Sequence, residues 1–351
     1  MRVKPKRKKR NWFLISIIVI SLITFLFVIL VTQNPTRFFA VGTDLTVLPS
    51  TERENENSLE TVSYFDADIV NIVLLGFDGP LAEDEPGSLY RPDTIMIASI
   101  NFNSREVSLV NIPRDSYVLI HGTTIYDKIN HSYRHGHSQA DAGEDPHKSG
   151  LRTTLLTIQD FLGDVPIHNY IVLKMDGVED IVDSIGGVYH DVEAEVRNNF
   201  GRGPVVLVEK GYQRLDGFKF LEYIRNRADA QGGEKGRSER QQKMMFVLLH
   251  QLRQALRLHT IAPLYMAVRR NVETDLNISQ QIAMAFLGLR LNPEQIEGFV
   301  FSGNGRLSAR GGQNVWYLAI DEQARVDLIR EAFGVDVEER PQITLPAPLS
   351  P

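Results

Sequence analysis

Asp78 and Asp93 stand where carboxylates can do chemistry. Asp78 lies two residues past Gly76, which closes the apolar run 71–75, and Asp93 directly precedes a second apolar run, 94–100. Two acidic groups at strand ends can share a hard cation such as Mg2+, whose octahedral oxygen shell is usually completed by waters and substrate phosphates. Each would serve equally well as a turn cap. Arg114 ends a third apolar run in NIPRD, where it pairs either with Asp115 at the surface or with a ligand, and Lys128 follows in YDKIN. Arg225 and Arg227 stand at i and i+2, so their side chains converge only where the chain has become extended. Two guanidiniums turned to one side call for an anion between them, and phosphate suits their planar fork. Arg237 precedes a long helical pattern, whose first backbone N–H groups and dipole also favour an anion, and Arg240 adds charge to the same end. Ser238 and Gln241 have the spacing of a capping box, which gives Gln241 a structural role compatible with ligand contact. Together these cations and two carboxylates suit a magnesium-bound pyrophosphate.

The segment 131–149 collects His131, His135, His137 and His147 with Asp141, Glu144 and Asp145. Its spacing fits no zinc motif. It reads as a hydrophilic lid or acceptor-side loop in preference to a second metal centre.

These groups need a scaffold, and the apolar spacing predicts one. Runs 71–75, 94–100 and 106–112 have the length and composition of buried strands, the last two joined by a turn at 101–105 into a hairpin that stops at Pro113. Helical spacing over 151–163 gives way to a strand at 168–174. Asp176 holds the N-cap position of a helix reaching Ile185, Gly186 and Gly187 end it, and 188–196 returns as a strand. A helix precedes Arg225, a long amphipathic helix runs from Glu239 to about Leu258, and short helices at 279–287 and 321–333 bracket a strand at 298–301. Alternation of strand and helix implies an α/β domain around one sheet, from 65 to 337.

At 351 residues with 43% hydrophobic side chains, the chain can build a sizeable core. Seven of its 38 basic residues lie in the first ten positions, while all 44 acidic ones lie beyond them. The folded part is therefore acidic, which argues against a nucleic-acid-binding domain. With no cysteine, disulfides, thiolate metal sites and cysteine nucleophiles are excluded. Residues 12–32 carry no charge and are long enough as a helix to cross the ~30 Å hydrocarbon core. They read as an uncleaved single-pass signal-anchor in the cell membrane, with the basic tail 1–11 cytoplasmic and everything after it extracytoplasmic. A cleavable signal peptide would have a shorter apolar region and a small-x-small site. Residues 33–64 are then a linker, polar over 50–58, and 338–351 a Pro-rich irregular tail.

Seven ordered blocks carry a family likeness: NIVLLGFD (71–78), RPDTIMIASI (91–100), SLVNIPRDSYVLIHG (108–122), KINHSY (128–133), DGVEDIVDSIGGV (176–188), LDGFKFLEYIRNR (215–227) and GRSERQQ (236–242). In order and spacing over about 69–252 the sequence resembles the LytR-CpsA-Psr family, membrane-anchored enzymes that attach glycopolymers to bacterial peptidoglycan. The resemblance implies a three-layer α/β/α sandwich with a mixed central sheet. It also implies a polyprenyl-pyrophosphate glycan, its tail in an apolar tunnel and its pyrophosphate at a Mg2+ site. On matching positions Asp78 and Asp93 correspond to the metal-side carboxylates. Arg114, Arg225, Arg227 and Arg237 would hold the pyrophosphate, with Lys128 and Gln241 nearby. Pro92, Phe220 and Glu234 depart from the family pattern, and Phe220 would narrow the tunnel.

The reaction expected is transfer of the glycan phosphate to a peptidoglycan hydroxyl with release of lipid monophosphate, Arg114 stabilising charge and Asp78 or Asp93 serving as base. A lipid-pyrophosphate phosphatase or a non-catalytic lipid-glycan binding protein would use the same cluster. Transcriptional regulation is disfavoured, since about eleven residues on the cytoplasmic side are too few for a helix-turn-helix.

Overall fold

The computed structural model describes residues 69–77, 91–163, 165–198, 205–226, 233–255, 258–291 and 293–349. Its first part comprises β1 (Ile69–Phe77), β2 (Pro92–Asn101), β3 (Glu106–Asn111), β4 (Tyr117–Leu119), β5 (Tyr126–Lys128), a 3-10 turn at Ile129–His131, α1 (Ser132–Ser138) and α2 (Pro146–Leu162). Next come β6 (Asn169–Lys174), α3 (Met175–Ser184), β7 (Val188–Val192), β8 (Val196–Asn198), β9 (Val205–Val208), β10 (Gly211–Leu215) and α4 (Gly217–Arg225). The last part holds α5 (Gly233–Ala255), α6 (Leu258–Asn271), β11 (Val272–Thr274), α7 (Ile278–Arg290), β12 (Ile296–Val300), β13 (Gly303–Arg310), β14 (Gln313–Ile320) and α8 (Glu322–Phe333).

The order of the six-stranded sheet is β11-β6-β1-β2-β3-β12, with β1–β6 and β3–β12 parallel and the other neighbours antiparallel. Strand side chains alternate between faces, and here both faces are apolar. Val73, Leu75 and Phe77 pack with Leu151 and Ile158 of α2 and Ile329 and Phe333 of α8. Val70 and Ile72 point the other way, into a cluster with Phe246 of α5 and Ala283 and Leu287 of α7. Helices on both sides explain why the strands read as unbroken apolar runs. The expected α/β class with a mixed central sheet is therefore present. The expectation of one sheet is too simple: small two-stranded pairs β4–β5, β7–β10, β8–β9 and β13–β14 flank the main one.

Several local expectations are corrected. The strand at 188–196 is split into β7 and the start of β8. Asp176 is inside the first turn of α3, whose N-cap is Lys174. The segment 131–149 is not a loop throughout: α1 and the start of α2 occupy most of it. Gly136 lets these helices touch, since a Cβ there would lie 2.2 Å from Thr153 Oγ1. Asp145 caps α2 through His147 N, and buried His147 bridges Tyr133 Oη (2.7 Å) and Glu273 Oε2 (2.9 Å). Residues 341–349 are irregular, yet Leu345 is buried beside Tyr317. The apolar segment 12–32 and linker 33–64 lie outside the described residues; among those described, no helix is long and apolar enough to cross a membrane.

Candidate functional site

Asp93 owes its direction to a break in the sheet. Gly76 pairs with Thr94 but Phe77 pairs with Pro92, so Asp93 is an extra residue in the β1–β2 ladder. Such a bulge re-aims a side chain, and proline, which has no N–H to donate, is tolerated beside it. The turn after β3 carries Arg114. It is fixed by Ser116 N donating to Pro113 O (3.0 Å), by Asn130 N donating to Arg114 O (3.3 Å) and by Leu318 N donating to Asp115 O (2.9 Å). Arg114 Nη1 then meets Asp93 Oδ1 at 2.6 Å, and Asn130 Nδ2 approaches the same oxygen at 3.4 Å. Lys128, opposite Tyr117 in the β4–β5 pair, reaches Asp115 Oδ1 at 2.5 Å and lies 5.8 Å from the Tyr317 ring centre. Asp93, Arg114, Asp115 and Lys128 thus form one half-buried ionic chain.

A second hub supports it. Asp127, beside Lys128, is fully buried and accepts from Lys128 N (2.7 Å), His131 Nδ1 (3.0 Å), His135 Nε2 (3.3 Å) and Arg310. Burial alone would raise this carboxyl. The hydrogen bond and charge of His131, with the bonds from Arg310 and Lys128 N, overcome it and hold Asp127 well below the usual carboxylate range. Arg91 Nη1 lies 3.0 Å from His131 Nε2, on the other side of the ring. These two histidines therefore orient the Lys128–Asn130 segment. Among the described residues no group of three or more His, Asp or Glu could hold a metal ion.

Next to Asp93 the surroundings turn apolar. Thr94 and Gly76 line a cavity of about 230 Å3 with Met96, Ile171, Leu173, Met175, Phe220, Ile224, Met244 and Leu248. It lies beneath α5, between the sheet and helices α3 and α4. Gln241 is part of its wall, within 3.5 Å of Thr94 Oγ1. Phe220 is buried in the wall of this cavity. Arg225 ends α4 one residue past Ile224, and its Nη2 meets Asp176 Oδ1 at 3.2 Å. Nearby, burial and the charge of Asp176 push the Glu179 carboxyl up.

The fold therefore joins Asp93 to Arg114, links Lys128 to them through Asp115, places Gln241 in the wall of the neighbouring cavity and sets Arg225 one residue past Ile224, which lines it. Asp78 and Arg227 lie outside the described residues. Helix α5 begins at Gly233, so Arg237 is in its second turn and not ahead of it, and Ser238 is no N-cap; the Arg237 side chain lies outside the described residues. Arg240 is also corrected. It donates to Tyr223 O (3.2 Å) and Asn226 O (2.9 Å) and stacks over Tyr223, satisfying the carbonyl end of α4. Asn130, Asp127 and Arg310 went unnoticed in the sequence. Arg310 is 183 positions from Asp127, and only the β13–β14 hairpin brings it back.

For a divalent cation, Asp93 is one suitable oxygen donor. Mg2+ commonly binds through one or two carboxylates and substrate phosphates, so the donor chemistry fits, with Arg114 already sharing the carboxylate.

The chain is 30% identical over 282 residues to the polyisoprenyl-teichoic acid–peptidoglycan teichoic acid transferase TagU of Bacillus cereus, covering 79% of this chain and 82% of the relative. It is 29% identical over 282 residues to TagU of Bacillus mycoides, covering 80% and 83%. Solved structures that share its fold include two of known name. One is B. subtilis TagV, with a TM-score of 0.60 at 22% identity over 77% of this chain and 99% of that one. The other is TagT bound to LIIa-WTA, with a TM-score of 0.60 at 23% identity over 80% and 98%. The pattern of the LytR_cpsA_psr family matches residues 41–334, spanning every strand of the central sheet and the ionic chain beside the cavity, and the protein belongs to that family.

Proposed function

We propose that this protein moves a glycopolymer from a polyprenyl-pyrophosphate carrier to a peptidoglycan hydroxyl at the outer face of the cell membrane. The observation that carries this reading is the junction at Asp93 and Thr94, where an ionic chain with two cations adjoins an apolar cavity. A lipid with a pyrophosphate head has that same division between apolar and charged parts. The names of the TagU relatives, which join a polyisoprenyl-linked polymer to peptidoglycan, support the same substrate class.

In the reaction the acceptor oxygen attacks the sugar-proximal phosphorus. The new P–O bond forms a sugar phosphodiester, and the bond to the lipid-side phosphate breaks, leaving lipid monophosphate. Arg114 exchanges its contact with Asp93 for the pyrophosphate, and Lys128 and Arg225 add positive charge as the leaving group becomes an anion. A carboxylate oxygen of Asp78 or Asp93 accepts the proton of the attacking hydroxyl. Gln241 fixes the head at the cavity wall; Arg227 and Arg237 would complete the phosphate contacts. Mg2+, held by Asp78 and Asp93, would neutralise phosphate charge.

The test uses the full chain, a labelled lipid-linked glycan and peptidoglycan. Arg114→Ala and Arg225→Ala should abolish transfer and lipid co-purification while leaving the circular dichroism spectrum unchanged; wild-type turnover in both would refute the cluster. Asp78→Ala and Asp93→Ala should lose Mg2+ dependence together, and a normal metal titration in either removes it from the site. Lipid monophosphate released without acceptor would indicate a hydrolase, and retained lipid without turnover a binding protein.

A further inference from the structure

Helix α6 is built inside out. A surface helix ordinarily buries its apolar stripe and shows polar residues to water. The inward face of α6 consists of Thr260, Leu264, Ala267 and Asn271, spaced by four, three and four positions. Its exposed residues from 261 to 268 are Ile261, Ala262, Pro263, Tyr265, Met266 and Val268, without one charged or hydrogen-bonding side chain except the tyrosine hydroxyl. Tyr265 is 60% exposed and Ile261 51%. Ile261, Tyr265 and Val268 follow i, i+4, i+7 spacing, so they form one stripe. Arg269 and Arg270 are exposed at its end; Arg270 Nε donates to Met266 O (3.2 Å).

Large exposed apolar patches of this kind mark contact surfaces. An apolar helical face with a tyrosine and terminal arginines matches the chemistry of a bilayer interface, where rings sit at headgroup level and cations meet anionic lipid. The acidic residues of α3 do not oppose this, because α3 packs on the inward face. A Cβ at Gly177 would lie 2.2 Å from Asn271 Cβ, and Asn271 Nδ2 donates to Asp180 Oδ2 at 2.9 Å. The other side of α3 lines the apolar cavity through Met175, Val178 and Ile181, and Leu264 packs into the core cluster that borders it. The exposed stripe is therefore one helix away from the cavity.

We propose that the exposed face of α6 lies on an anionic phospholipid surface, docking the domain with its cavity beside the bilayer. This contact is additional to any N-terminal anchor. A lipid tail would then pass between membrane and cavity over apolar surface and not through water.

The chain contains no cysteine, so one introduced thiol reports one position. Tyr265→Cys and, as a control at an exposed position of α8, Glu331→Cys are labelled with an environment-sensitive fluorophore in the full chain. Each is reconstituted into phosphatidylcholine vesicles with and without phosphatidylglycerol, carrying a spin-labelled lipid quencher. The expected result is a blue shift and several-fold stronger lipid quenching at 265 than at 331 in the phosphatidylglycerol vesicles, reduced by adding Arg269→Glu and Arg270→Glu. Equal quenching at both positions would overturn the proposal. So would a blue shift at 265 without lipid quenching, which would show the face covered by another part of this chain or a second copy. Quenching unchanged by the charge reversals would overturn the anionic-surface assignment. The readout is position, so it stands apart from transfer activity and from the substrate reading above.

Discussion

Truncating Phe220 to alanine tests the cavity and its proposed occupant together. The ring is 2% exposed and forms part of the cavity wall with Ile224, Met244 and Leu248. Losing a buried phenylalanine ring typically costs ~3–5 kcal/mol. Here one side of the ring faces open volume and has no packing to lose, so the lower end, ~3 kcal/mol, is expected. At ~2–4 °C per kcal/mol, the slope for domains of ~150–250 residues, the melting temperature should fall by ~6–12 °C. Removing the ring also widens the space available to a lipid tail. A ligand at a hundred times its Kd returns ~2.7 kcal/mol by linkage, nearly the whole loss. The assay is thermal unfolding of the full chain and the variant in one detergent, alone and with polyprenyl phosphates of increasing length. The variant should be less stable alone and gain more than wild type from the longer lipids. Equal gains in both proteins, or a loss below ~1 kcal/mol without lipid, would show that the ring does not wall a lipid site.

Asp127→Asn should destabilise the fold by ~2–3 kcal/mol, at or below the usual range for breaking a buried ion pair because Arg310 is partly exposed; urea unfolding measures it. Because the folded Asp127 carboxyl is depressed, its stabilisation is complete above its unfolded value near ~4 and is lost as pH falls below that. Wild type should therefore lose stability more steeply than Asp127→Asn on acidification below pH ~4, and parallel curves would refute the hub. Gly177→Ala should cost ~1–3 kcal/mol by forcing α3 from α6, read from the denaturant midpoint. Gln242 Nε2 donates to Leu109 O (2.9 Å) and Phe299 O (2.7 Å), so Gln242→Ala should lose ~1–3 kcal/mol while leaving transfer per folded molecule unchanged.

The strands of the sheet were legible because burial on both faces writes them as continuous apolar runs, and β1, β2, β3 and β6 lie where those runs do. Arg114 was legible as a charge at the end of such a run. The start of α5 was not. Ser238 and Gln241 imitate a capping box, yet GEKG ahead of them is helical too, a stretch with no apolar period to mark it. Helix α1 likewise has no periodic apolar face, and close packing of Gly136 on α2 holds it in place. The Asp127 hub joins groups 183 positions apart, which no local pattern records. Asp93 was recognised as a strand-end residue, but its direction depends on pairing register, a property of two strands at once.

That register makes the aim of Asp93 a matter of counting. Deleting one residue from the Pro92–Asp93 step would restore regular pairing with β1 and exchange the sides to which the neighbouring residues point, even if an aspartate were kept. The hairpin at 101–105, by contrast, projects from the far end of the same strands and can change length without altering that phase. Substitutions at the step should thus be borne more readily than insertions or deletions, and the position of the carboxylate is written in the length of the chain as well as in its chemistry.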